Sequence, residues 1–154
     1  MAVAGLLAFL VLVLGLPKVL GMRRREHAEL DTAARSLAAA FPGGAAVYPV
    51  RYGLGEPDGQ PARSADSAWD LGPSRTGALA VDAELLQVRG TDGAALDLPL
   101  AEVQGAVLTA SGVAWLPASV DVLLRSGEAI EFRSPNAAAI TDALDGAGVP
   151  VATA

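Results

Sequence analysis

The chain has no cysteine and one histidine, His27. Disulfides, thiolate nucleophiles and cysteine zinc sites are therefore excluded. A histidine-based triad would need a serine and an aspartate positioned around His27, and nothing in the sequence nominates them. Lysine is almost absent as well: Lys18 stands alone against ten arginines. Aromatic residues make up 5% of the chain, with tryptophan only at Trp69 and Trp115. A metal site without cysteine needs carboxylates in spaced clusters. The nearest approaches are Asp66 with Asp70, in a stretch without period, and Glu128 with Glu131, whose spacing puts them on opposite faces of a strand. Both pairs read as solvated acids. The expectation is a chain that is not an enzyme and carries no cofactor and no metal.

Charge is scarce at one end and one-sided at the other. The formal net charge is −6. Through Gly43, five basic residues (Lys18, Arg23, Arg24, Arg25, Arg35) outweigh Glu26, Glu29 and Asp31. From Gly44 onward, six arginines face fourteen acids. Nucleic acid, which is held through its phosphates by clustered cations, is not an expected partner of such a body.

Residues 2–16 lack any polar side chain, reading AVAGLLAFLVLVLGL. Extended to Met22, the segment reaches roughly 31 Å as a helix, about the thickness of a hydrocarbon layer. Ten Leu, Val and Phe residues between Val3 and Leu16 favour insertion by about −3 to −6 kcal/mol. No basic residue precedes the run, as one would in a cleaved leader, whereas Lys18, Arg23, Arg24 and Arg25 flank its far end. Basic residues beside a span stay cytoplasmic. The sequence thus predicts a transmembrane helix over 2–22 in a single-pass cell-membrane protein, with the amino terminus outside and the lipid bilayer as one partner.

Residues 23–43 read as a juxtamembrane helix and linker. Leu30, Ala34, Leu37 and Phe41 recur at helical spacing, and Pro42, Gly43 and Gly44 stop the helix. AVYPVRY is a strand that Pro49 demotes to an edge. The run 53–67 is rich in Gly, Pro, Asp and Ser and reads as a moving or binding loop. Its glycines do not make a phosphate loop, because no helix follows Gln60 and Pro61.

From Gly77 the pattern becomes a meander. Leu79 and Val81, then Leu86 and Val88, precede a Thr91-Asp92-Gly93 turn, and Leu96, Leu98 and Leu100 follow. Val107 and the run 113–116 suggest two short strands. Val120, Val122 and Leu124 return through 125–128 to Ile130 and Phe132. A final helix has Ser134 as N-cap, Pro135 at its first position, Ile140 and Leu144 as its stripe, and Gly146 or Gly148 at its end. The fold class is α+β: a spanning helix, then a small antiparallel β-meander or partly open barrel with a C-terminal helix.

The stretch GALAVDAELLQVRGTDGAALDLPLAEVQGAVL, the DVLLRSGEAIEF hairpin and the helix after it resemble the pleckstrin-homology-like superfold, including bacterial PH and GRAM-type domains. An anchor ahead of such a domain is similar to actinobacterial membrane proteins. The resemblance implies a PH-like soluble domain over 44–154 that acts as a non-catalytic interaction or scaffold module. It would dock a protein partner in the membrane or at its inner face, with Trp69 and Trp115 as candidate contacts. A subunit of a membrane enzyme or transporter complex, binding a small ligand through the 53–67 loop, is the alternative. Phosphoinositide recognition does not carry over, because Arg75 and Arg89 are isolated.

Overall fold

The computed structural model describes residues 20–21, 24–55, 75–111 and 117–154. Residues 24–37 form a helix, α1, which tightens into a 3-10 turn at Ala38–Ala40. The strands are β1 (Val47–Gly55), β2 (Arg75–Val81), β3 (Leu85–Gly90), β4 (Ala95–Pro99), β5 (Val103–Thr109), β6 (Ser119–Leu124) and β7 (Ala129–Arg133). Helix α2 (Ala137–Gly146) and a last strand, β8 (Val151–Thr153), complete the chain. The eight strands among the described residues share one sheet in the order β4-β3-β2-β1-β7-β6-β5-β8.

Local chemistry explains the hairpins. Asp82 accepts hydrogen bonds from the Glu84 and Leu85 N–H groups at 2.8 and 2.7 Å, which bends the chain from β2 into β3. The β3–β4 and β6–β7 turns each place a glycine at positive φ, Gly93 at 87° and Gly127 at 92°, a conformation that costs glycine nothing. Alternation does the rest. Leu79, Leu86, Val88, Val120, Val122, Ile130 and Phe132 are all almost fully buried and form one core with Ala137, Ile140 and Leu144 of α2. The helix therefore lies on the inner face of the curved sheet.

The outer face is covered in part by α1. Ala34 and Phe41 bury themselves against Ala78 and Ala80 of β2, whose small side chains let the helix backbone approach closely. Glu26 pairs with Arg51 of β1 at 3.1 Å, and the Arg89 guanidinium sits 5.6 Å from the Phe41 ring centre.

Four expectations are corrected. Among the described residues no helix is long and apolar enough to cross a membrane. Helix α1 cannot, since Arg24, Arg25, Glu26, Glu29, Asp31 and Arg35 leave it only a narrow apolar stripe. The N-terminal spanning helix is thus withdrawn from the fold class, and with it the single-pass cell-membrane placement. Of the segment 2–22, all but residues 20 and 21 lie outside the described residues, as do Lys18 and Arg23.

The sheet is also not purely antiparallel, because β8 runs parallel to β5. Strand β1 is central rather than an edge, pairing with β2 through Val47–Tyr52 and with β7 through Arg51–Gly55. Proline is tolerated there because β7 reaches only as far as Arg51. Beside Pro49 the β7 side offers the Ser134 hydroxyl, which donates to the Pro49 carbonyl at 2.6 Å. The same hydroxyl also accepts the Asn136 N–H at 3.0 Å at the entry to α2, whereas Asn136, directly before the helix, makes no side-chain capping hydrogen bond.

Candidate functional site

The α2 N-terminus, the end of β5 and the start of β6 do not close on one another. Between them lies an open cleft of about 420 Å³. Leu108 and Ala110 come from β5 and the residue after it, Pro117 and Ala118 from the approach to β6, and Pro135, Ala137 and Ala138 from the start of α2. Thr153 and Ala154 of the β8 end form one rim, and His27 of α1 forms another. The lining is mostly apolar with a few polar groups at its margin, the composition of a recognition site. One of those groups is already engaged: Ser134 donates to Pro49 and accepts the Asn136 N–H at 3.0 Å.

A second hollow, about 690 Å³, lies at the opposite end among Leu85, Pro99, Leu100, Arg125 and Pro150. Its guanidinium is tied down, with Arg125 Nε donating to the Ala101 carbonyl at 2.7 Å.

The outer face of the sheet carries a charged cluster with a displaced acidity. Asp121 and Glu131 are directly opposite on β6 and β7. Burial first, and Glu131 second, push the Asp121 carboxyl above its ordinary range, against a hydrogen bond from Thr109 and the Arg133 charge. Arg133 pairs with Glu131. Two carboxylates, a hydroxyl and a guanidinium can share a proton there. Elsewhere, burial raises the Tyr52 phenol, reinforced by Asp92 and opposed by Arg75. Among the described residues no group of three or more His, Asp or Glu side chains is placed to hold a metal ion.

The sequence-predicted site residues do not gather here. Trp69, Trp115 and residues 56–67 of the 53–67 loop lie outside the described residues, while Gly53–Gly55 belong to β1. Arg24 and Arg25 are exposed on α1. Glu128 and Glu131 sit at a turn and on the outer face, far from forming a pair. The cleft was not anticipated. Its signal is faint: a run of small residues at the start of α2 and prolines at 117 and 135, none of which marks a cavity by itself.

No family model matches the chain, and no curated protein matches it. A structure described as the Spt16D Pob3N heterodimer is similar over 70% of this chain and 54% of that one, at 12% sequence identity and a TM-score of 0.45. The likeness spans about half of that chain, and at such a score it identifies neither a family nor a function.

Proposed function

We propose that the chain is a non-catalytic interaction module of PH-like architecture whose open cleft docks a protein partner. Support for the architecture comes from two antiparallel meanders, β1–β4 and β5–β7, joined through β1 and β7, with a helix across the inner face. The observation that carries docking is the cleft itself: a concave, mainly apolar surface at the open end of the sheet, flanked by small side chains and one half-buried imidazole. Apolar concavities with polar rims exclude water from a partner's side chains, and that is where binding energy concentrates. A catalytic reading has less to draw on, because the displaced acid, Asp121, is on the outer face and His27 has no described carboxylate or hydroxyl serving it as a relay.

Site-specific photo-crosslinking tests this. A benzophenone side chain at Ala138, in the cleft, should capture one partner in near-stoichiometric yield from the native cell. The same group at Asp82, in the β2–β3 turn, should not. Equal capture from both positions, or turnover of any substrate by the purified chain, would overturn the reading.

A further inference from the structure

We propose that the free edge of β8 accepts an extended, basic segment of the partner protein as a ninth strand. The inference rests on the docking reading above and names the kind of partner the cleft takes.

Among the described residues the sheet ends at β4 and at β8. Natural sheets protect such edges with proline, charge or short length. Strand β4 is protected: it ends in Pro99 and carries Asp97, which pairs with Arg89 at 2.7 Å. Strand β8 has only three residues and follows Pro150, but it has no charged side chain and no proline within it. No side chain of residues 151–154 is charged and, from Ala152 on, they are exposed.

Its backbone is oriented for pairing. The Pro150 carbonyl accepts from the Ala106 N–H at 2.9 Å, and the Ala154 N–H donates to the Leu108 carbonyl at 3.0 Å. Both point toward β5. By alternation, the N–H and C=O groups of Val151 and Thr153 point the other way, and among the described residues no strand pairs with them.

Both faces beside this edge are concave. Thr153 shares a face with Leu108 and lines the cleft. Ala152 shares the other face with Val107, and with Leu123 it lines a smaller hollow of about 250 Å³. An added strand sends alternate side chains to the two faces, so main-chain bonds would give affinity and the two hollows specificity.

Charge selects the sign. Asp142 stands one helical turn beyond Ala138, on the exposed face of α2. Asp121 lies inward across the outer face beside the Glu131–Arg133 pair, in a body with fourteen acids and six arginines. A basic segment is attracted and an acidic one repelled.

The test uses the full chain and three fluorescent synthetic decapeptides: alternating Val and Arg, alternating Val and Glu, and the Val/Arg peptide N-methylated at every second amide. Only the first should bind, and it should slow hydrogen exchange at the Val151 and Thr153 amides. Thr153→Pro removes an outward N–H and leaves the inward-facing Ala152 and Ala154 amides intact. It should weaken binding by about tenfold, the effect of one lost hydrogen bond. The N-methylated peptide removes the reciprocal bonds, from its own N–H groups to outward carbonyls of β8, without altering the protein. Undiminished binding with either change would overturn the proposal. So would a dimer of this chain that Thr153→Pro dissolves, since a second copy would then be the strand's occupant. Peptide-induced shifts at Leu108 and Ala138 that ignore Thr153→Pro would sink strand addition alone. Absence of crosslinking from Ala138 would remove the docking reading beneath it.

Discussion

Tyr52 is 2% exposed, and among the described residues its hydroxyl has no hydrogen-bond partner. The ring fits because Gly77 and Gly90 lie beneath it; a Cβ on Gly90 would run into the hydroxyl and into Asp92. Leaving a buried hydroxyl unsatisfied costs about 1–3 kcal/mol. Tyr52→Phe keeps the ring and removes that cost, so its urea midpoint should equal or exceed the parent's, by up to about 1 kcal/mol. A clear loss would mean that the hydroxyl is bonded. Asp121 gives the pH-dependent counterpart. Its pKa is raised in the folded chain, so folding favours its protonated form. That contribution is fully present below the ordinary carboxylate range and is lost as pH rises through the folded value. Asp121→Asn cannot ionise. The gap between its unfolding midpoint and the parent's should therefore widen in the variant's favour as pH rises, then stay constant. Midpoints measured between about pH 3 and 8 test it, and a variant weaker at neutral pH refutes it. At this scale the sequence was mute, because nothing in the order of residues shows that Asp121 and Glu131 face one another, or that Ser134 bonds Pro49 as well as the start of the helix.

Elements were far more legible. The inward rows of β2, β3, β6 and β7, the Thr91-Asp92-Gly93 turn and the stripe of α2 follow from period alone. Two failures have physical causes. Three residues are too few to display a period of two, so β8 carried no strand signal. Pro49 signalled an edge because a lost N–H is normally unaffordable in mid-sheet, yet the edge is only local, confined to the stretch that β7 does not reach. The stripe of α1 was visible, but its seat on Ala78 and Ala80 was not, since two alanines in a strand do not announce a helix above them. That seat makes a prediction. At 0% exposure Ala78 leaves no space beneath α1, so Ala78→Leu should lift the helix and cost about 1–3 kcal/mol, the range for overpacking. Hydrogen exchange should quicken across residues 24–37 while β6 and β7 keep their protection. Uniform loss throughout the sheet would show that α1 is integral to the core instead.

At the scale of the molecule, β1 joins two half-sheets. One ladder, β4-β3-β2, hangs from Val47–Tyr52, and the other, β7-β6-β5-β8, hangs from Arg51–Gly55. Only Arg51 and Tyr52 belong to both. The backbone alone would make a weak joint, so cohesion must come from side chains that both halves share. Tyr52 and Phe132 are register partners at that junction, both on the inner face and both buried. They lie in a single core with Leu79 and Val88 from one half and Val120, Val122 and Leu144 from the other. Phe132→Ala should therefore cost about 3–5 kcal/mol, as large aromatic deletions do. More tellingly, it should lower protection of the β3 and β6 amides together, with one transition in urea and an unchanged slope. If the β6 side opened first while β3 stayed closed, the halves would be separate folding units and the shared core a mere contact. Cooperative loss instead means that the end of the sheet carrying the cleft and β8 is only as rigid as the junction, so binding there should weaken in Phe132→Ala even though Phe132 does not line the cleft.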